Sequence, residues 1–499
     1  MDTKALRQKI LDLAIRGKLV PQDPKDEPAA VLLERIRAEK QRMVKDGKLK
    51  PKDIKNDTVI FKGEDNLHYE KFPDGTVKCI EDEIPFELPE GWSWTRLGSL
   101  FSTITGSTPS TKDASLYGDE YPFYKPTDLD AGFDVCVSED TVSEKGYKNG
   151  RILPMYSVLV TCIGATIGKT GYIKNSGICN QQINAILPNT FILPEYTYFC
   201  MCSEFEQQQI WTNSSATTLP ILNKSKFDIL FFPVPPKAQQ TRTVERIKEL
   251  LHFVEIIQQE KRTLQETIKL TKSKILDLAI RGKLVPQDPN DEPASVLLER
   301  IRSEKEELIK QGKIKRDKKE SVIFKGDDNS YYLRTGGVEE SLENWRFDDL
   351  PETWKICCLG ELCDYGDCIN VNTEDIAEDA WILDLEDIEK DTGMVLKKVT
   401  KAQRNSVSTK HKFHSGQVLY SKLRPYLNKV VLSDADGYCT SEILPLEFKN
   451  CVLPEYARYY LMSGTFITYA NHCSYGVKMP RLGTTDGKKA IFSLPPLSE

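Results

Sequence analysis

Residues 9–40, KILDLAIRGKLVPQDPKDEPAAVLLERIRAEK, return at 274–305 as KILDLAIRGKLVPQDPNDEPASVLLERIRSEK, with three of 32 positions changed. A repeat this close decides the architecture before any other feature is read, because whatever the first copy builds the second must build as well. Fainter echoes follow in the same order. VIFKGEDN at Val59 returns as VIFKGDDN at Val322, LPEGW at Leu88 as LPETW at Leu350, LPEY at Leu193 as LPEY at Leu453, and Pro235-Pro236 as Pro495-Pro496. The displacement shrinks from 265 to 260 along the way, which marks a duplicated module with small deletions. The arms are almost identical, while 100–185 and 360–445 share little. Like arms suit two copies of one partner and unlike interiors suit two different ligands; recent recombination homogenising the arms is the alternative origin of their likeness.

The duplication divides the 499 residues. Residues 1–58 form an N-terminal helical arm, 59–235 a first module, 236–281 a long central helix, 282–321 a second arm and linker, 322–496 a second module, and 497–499 the start of a further helix. In the central segment Leu250, Val254, Ile257, Lys261, Leu264, Ile268, Thr271, Ile275 and Leu278 alternate at spacings of four and three, the seam of a coiled coil. Pro236 suits a first turn, and Gly282 with Pro286 closes the far end. A helix of this length spans roughly 60 Å, and so narrow a seam needs an apolar partner. The arm after it reads as a second helix, opened by Glu292 and Pro293, striped by Val296, Leu297, Ile301 and Leu308, and ended by Gly312; its twin covers about 27–46. Charged linkers, 48–57 and 313–320, lead into modules rich in short β-branched runs such as 158–161, 170–173 and 429–432, hence mixed α/β units. The fold class expected is α+β, with two mixed α/β domains in tandem separated by long coiled-coil helices.

No apolar run reaches the length of a membrane span, and no N-terminal stretch has a signal-peptide core. Thirteen cysteines without a CxxC pair suit a reducing compartment, so a cytoplasmic protein is expected. Cys357, Cys358, Cys363 and Cys368 cluster, but their spacing fits no zinc pattern and the other module has no counterpart; no metal is expected.

A net charge of -6 argues against a nucleic-acid binder until its distribution is considered. Residues 392–433 contain no Asp or Glu but carry Lys397, Lys398, Lys401, Arg404, Lys410, Lys412, Lys422, Arg424 and Lys429, with His411 and His414 beside them. Residues 145–194 are likewise free of acids and carry Lys145, Lys148, Arg151, Lys169 and Lys174. These cations, with Lys125 upstream, are the candidate DNA contacts.

Catalytic motifs are wanting. Residues 164–170, GATIGKT, have three residues between the glycines where a Walker A loop needs four, and the other module reads RPYLNKV there. Gly164 and Gly168 are expected to permit a tight strand connection from which Lys169 reaches a DNA phosphate. Neither Pro-Pro pair sits in an Asn/Asp-Pro-Pro-aromatic motif, and no GxGxxG opens a βαβ unit, so adenine methylation by this chain is not expected. Asp384, Glu389 and Lys390 could imitate a nuclease cluster, but a turn or solvated role suits them better. Five histidines include no HExxH or triad setting.

The segments PEGWSWTRLGSL (89–100), TGSTPS (105–110), YPFYKPTDL (121–129) and LVTCIGATIGKTGYI (159–173), with the Pro-Pro before a long helix, resemble the target-recognition domain of type I restriction-modification specificity subunits. LPETW, VLYSKLRPYLNKVVL (418–432), LPEY and LPPLSE carry the resemblance through the second module. What it implies is a non-catalytic subunit that reads an asymmetric, bipartite double-stranded DNA target, one half per domain, with the helices setting the gap. It also implies two methyltransferase subunits docked on the arms, for which Leu13, Leu19, Leu278 and Leu284 are candidates, and restriction/translocase subunits joining them. S-adenosylmethionine, ATP and Mg are then expected on those partners only, with no cofactor on this chain. The seam candidates are Leu250, Val254, Ile257, Leu264, Ile268 and Ile275. The family pattern places a second long helix after the second Pro-Pro, where this sequence reads only Leu497-Ser498-Glu499; a truncated chain or a helix supplied by another polypeptide is therefore expected. The competing reading is a coiled-coil scaffold whose modules bind ligands other than DNA. A stand-alone enzyme is a third.

Overall fold

A computed structural model describes the chain except for residues 1, 48, 216–218, 315–319, 344–349 and 405–406, so most of the second linker lies outside the described residues. The chain divides into two compact units, Met1–Arg262 and Thr263–Glu499.

In the first unit, helix α1 (Thr3–Ile15) is capped by the Asp2 carboxylate, which accepts from the backbone N–H of Lys4 and Ala5 at 2.9 and 3.2 Å. Its apolar face, Ile10, Leu11, Ala14 and Ile15, enters a core shared with Ala29, Leu32 and Ile36 of α2 (Ala29–Lys45). The turn after α1 is fixed by a close approach. Gly17 has φ 65°, and a Cβ there would lie 2.5 Å from the Pro89 ring. Gly282, at φ 62°, meets Pro351 at the same 2.5 Å in the second unit. The arm motif and the LPE(G/T)W motif therefore recur together because they touch: only glycine both adopts this backbone and admits the proline. The Trp92 indole N–H completes the joint by donating to Gln22 Oε1 at 2.9 Å.

Each module is closed by pairing its two ends. Strand β4 (Ser93–Arg96) runs antiparallel to β12 (Phe231–Val234). Inside lie a four-stranded sheet, β5 (Thr103–Thr105), β11 (Ile183–Ile186), β8 (Val158–Thr161) and β9 (Thr170–Tyr172), and a three-stranded one, β10 (Ile178–Cys179), β6 (Tyr117–Tyr124) and β7 (Asp140–Val142). A meander, β1 (Val59–Lys62), β2 (His68–Lys71) and β3 (Val77–Cys79), precedes them. The short helices α3 (Leu97–Leu100), α4 (Glu144–Asn149), α5 (Pro194–Met201), α6 (Glu204–Asn213) and α7 (Lys224–Asp228) complete the module.

The long helix α8 runs over 44 residues, Lys237–Ile280, and the boundary between the units falls within it. Val244, Ile247 and Val254 are buried in the first unit's core, and Leu250 packs against it. Beyond them the seam turns to solvent: Ile257, Leu264, Ile268 and Ile275 are 37%, 60%, 46% and 46% exposed.

The second unit carries α9 (Ala294–Lys310), the meander β13 (Ser321–Lys325), β14 (Tyr331–Thr335) and β15 (Val338–Ser341), and the closing pair β16 (Lys355–Cys358) and β25 (Ile491–Leu494). Its inner sheets are β17 (Ile369–Val371), β20 (Lys410–Phe413), β23 (Gly437–Thr440), β18 (Trp381–Leu383) and β19 (Val399–Thr400), and β22 (Val430–Leu432), β21 (Val418–Ser421) and β24 (Ile443–Leu446). Helices α10 (Leu359–Leu362), α11 (Pro454–Leu461), α12 (Gly464–Cys473) and α13 (Thr484–Lys489) follow the first unit's pattern.

The sequence divergence of the interiors conceals a shared frame. From β8 onward the elements of the first unit reappear at a displacement of 260: β8 as β21, β9 as β22, β11 as β24, α5 as α11, α6 as α12 and β12 as β25. Divergence in structure is concentrated ahead of β8 and β21, where β6 and β7 join β10 in a three-stranded sheet in one unit and β17, β18, β19 and β20 join β23 in a five-stranded sheet in the other.

Candidate nucleic-acid interface

In the first unit the β8–β9 connection, residues 162–169, lies against the segment 219–222. Ile163 bridges Ile221, the Gly164 N–H donates to the Pro220 carbonyl at 3.0 Å, and the Leu222 N–H to the Cys162 carbonyl at 2.8 Å. In the second unit every one of these contacts returns 260 residues on. Leu423 bridges Arg481, the Arg424 N–H donates to the Pro480 carbonyl at 2.7 Å, and the Leu482 N–H to the Lys422 carbonyl at 3.0 Å.

The backbone is common; the side chains are not. Gly164 (φ 97°) and Gly168 (φ 87°) are matched by Arg424 and Asn428, both at φ 50°. Left-handed backbone costs a non-glycine residue about 1–2 kcal/mol. The second unit bears that cost at Arg424, asparagine being a residue that tolerates the left-handed region, and the Arg424 Nε is buried with no hydrogen-bond partner. Tyr426, Tyr475 and Met479 stand exposed around it, whereas the first unit presents Leu219 and Ile221. Arg481 is held by Glu442 at 2.9–3.2 Å. Counting cations passes over Tyr426 inside the window 392–433 and does not reach Tyr475 and Arg481; the signal that reaches them is the constant displacement of 260, which sets RPYLNKV on GATIGKT and Arg481 on Ile221.

The acid-free windows fill with acids on folding. In the first unit Lys125 pairs with Asp140, and Lys145 with Asp113 at 3.1 Å, Lys148 with Glu144 at 2.7 Å, Lys169 with Asp130 at 2.6 Å and Lys174 with Asp134 at 3.4 Å. Lys169 also donates to the Pro126 carbonyl at 2.8 Å, and Arg151 donates to the Thr105 carbonyl. In the second unit Lys397 lies 3.8 Å from Asp387, Lys398 2.7 Å from Asp434 and Lys401 3.0 Å from Glu378. Arg404 joins Asp384 and Asp387, each at 2.5 Å, so Asp384, for which a turn or solvated role was expected over a nuclease one, is held in an ion pair. Lys410 is 2% exposed, and Lys429 donates to the Leu385 carbonyl while burial holds its ammonium below the usual lysine range. Lys412, Lys422 and Arg424 have no carboxylate at ion-pair distance among the described residues. His411 is buried and bonded to the Ile443 carbonyl; His414 sits 2.7 Å from Glu447.

Cys357, Cys358 and Cys363 are buried, and burial pushes their thiols up; Cys357 and Cys363 donate to the carbonyls of Phe492 and Leu359. Among the docking candidates Leu13, Leu19 and Leu278 are half-buried and Leu284 is 50% exposed. Among the described residues no helix is long and apolar enough to cross a membrane.

Residues 89–266 match the type I restriction modification DNA specificity domain. The chain is 29% identical to the EcoAI specificity subunit of Escherichia coli over 72% of its own length and 62% of that protein's. It is also 29% identical to the E. coli EcoEI specificity subunit, over 72% and 61%. It thus spans about three fifths of the length of these relatives. A solved chain of a type I R-M system shares the fold, with a TM-score of 0.50 at 15% identity over 83% of this chain and 88% of that one. Residues 89–266 thus form a type I restriction modification DNA specificity domain, and the chain is similar over 72% of its length to the specificity subunits of type I restriction enzymes.

Proposed function

We propose that this chain recognises double-stranded DNA as the non-catalytic specificity subunit of a type I methylation and restriction complex, each unit reading one half of an asymmetric target. The observation that carries the reading is the pair of loops at 162–169 and 422–429, braced by the same hydrogen bonds yet presenting unlike side chains. A common frame with variable tips is what two readers of different sequences require, since phosphate contacts position a protein and base-edge contacts choose the sequence. Two methyltransferase subunits dock on the arms, near Leu13, Leu19, Leu278 and Leu284, and restriction/translocase subunits complete the assembly. S-adenosylmethionine, ATP and Mg belong to those partners. The exposed seam from Ile257 to Ile275 takes part in a coiled coil.

The test is to map methylated adenines produced by the chain with its methyltransferase, then to repeat with Arg424→Ala. A base contact is worth about 1–3 kcal/mol of discrimination, so one half of the target should become degenerate while the other stays fixed. Uniform retention of both halves would reject Arg424 as a reader, and absence of any target would reject the function.

A further inference from the structure

The loops at 162–169 and 422–429 share a frame close enough for their side chains to be compared position by position. The match extends to the hairpin beside each loop. The Ser215 N–H donates to the Ile221 carbonyl at 3.1 Å, and 260 residues on the Tyr475 N–H donates to the Arg481 carbonyl at 3.1 Å. On this frame Cys162, Gly164 and Ile221 of the first unit become Lys422, Arg424 and Arg481 of the second, so three uncharged positions turn cationic. The acid gained beside them, Glu442 in place of Gln182, is spent on Arg481, which donates to it at 2.9–3.2 Å. Arg424 keeps its donors. Its side chain makes no hydrogen bond or ion pair among the described residues, its Nε is buried, and its backbone sits at φ 50° where the first unit uses glycine.

Backbone strain and an unmet buried donor at one surface position are costs that a ligand can offset. The ligand must present acceptors to a planar fork. Guanine does so through O6 and N7 in the major groove, and a phosphate does so as well. The exchange between units decides for the base. Phosphates recur in every sequence, so a phosphate contact is needed by both units, whereas a base contact changes with the sequence read. The border agrees: Tyr426 and Tyr475, 50% and 62% exposed, give the second unit an aromatic surround suited to a groove edge. At the matched place the first unit presents Leu219 and Ile221, 51% and 40% exposed, and apolar groups recognise the thymine methyl. We propose that the half-target read by the second unit presents a guanine to Arg424, while the half read by the first unit presents a thymine methyl to Ile221. The inference rests on the function proposed above and names the base chemistry of each half.

The test uses the full chain in complex with the methyltransferase of its own system, and the duplex target mapped by its adenine methylation. 7-Deazaguanine, which lacks the N7 acceptor, replaces each guanine in turn, and deoxyuridine, which lacks the C5-methyl, each thymine. In the half that Arg424→Gly makes degenerate, one 7-deazaguanine should weaken binding about tenfold, and should cost the Arg424→Gly complex less than about twofold. In the other half one deoxyuridine should weaken binding about fourfold, an effect that Ile221→Ala removes. Arg424→Gly restores the residue that the first unit uses on this frame, and a melting temperature no lower than that of the unaltered chain separates a lost contact from lost folding. A second half-target without guanine, or 7-deazaguanine tolerated everywhere within about twofold, would overturn the inference and leave the function standing. Arg424→Gly weakening every duplex alike would do the same, as the mark of a phosphate contact. A deoxyuridine series without effect would overturn the thymine assignment. A complex that has no target overturns the proposed function, and the inference with it.

Discussion

Arg424 shows what a functional side chain can cost. Its counterpart Gly164 takes the same left-handed turn without penalty, whereas Arg424 holds φ 50° with Nε buried and unpartnered. Arg424→Gly should therefore stabilise the second unit by about 1 kcal/mol in urea denaturation while weakening DNA binding; a less stable variant would show that the turn is not strained. Glu206 poses the opposite case. It is fully buried with Oε1 unpaired, and burial raises its carboxyl well above the ordinary 4.5. A raised carboxyl favours the folded state at low pH, and that advantage is lost as pH rises from the ordinary carboxylate range toward the folded value. Glu206→Gln should accordingly narrow the difference in Tm between pH 5 and pH 8, chiefly by raising the value at pH 8; an unchanged difference would assign the pH dependence elsewhere. At this scale the sequence is a poor guide. The cations of 392–433 are countable in one dimension, but the carboxylates that neutralise them, Asp384 and Asp387 on Arg404 or Glu378 on Lys401, arrive through strand pairing that no local pattern announces.

At the scale of elements, α8 was legible because its signals are local: Pro236 before it, Gly282 after it, and a regular apolar seam between. Which parts of that seam the chain covers was not legible, since coverage depends on a distant arm. Ile247 and Leu264 separate the two regimes. Ile247, at 1% exposure, should cost about 2–5 kcal/mol when truncated to alanine. Leu264, at 60%, should change the stability of the chain alone by no more than about 0.5 kcal/mol. Chemical denaturation of the two variants measures the contrast, and a large loss at Leu264 would mean that the seam is already paired in the isolated protein. The arm-to-module joint was half legible. Both motifs stood out by repetition, yet that Gly17 and Gly282 seat against Pro89 and Pro351 follows only from the close approach that excludes a Cβ at 2.5 Å.

For the whole molecule, duplication made two units readable from sequence, and the same duplication, followed at constant displacement, recovers the common frame beneath unlike interiors. Charge did not carry over so well. Fifteen basic residues were candidate phosphate contacts, and if all of them met DNA the logarithm of affinity would fall with the logarithm of salt at a slope near −13. The fold leaves far fewer. Arg151 and Lys429 bond to carbonyls, and Lys412, Lys422 and Arg424 lack a carboxylate partner among the described residues, while Lys410 is buried and the remaining cations are paired. Breaking an existing ion pair to reach a phosphate exchanges one carboxylate for another anion and releases little net counterion. The chain alone should thus bind its duplex with a slope of only about −4 to −5, and Lys412→Ala should lower it by about 1 without altering which sequence is preferred. Fluorescence anisotropy across a salt series reads both quantities. A slope steeper than about −8 would mean that the lysine–aspartate pairs at Asp130, Asp134 and Asp434 open on DNA, turning those acids into brakes on nonspecific binding that a matched target must release.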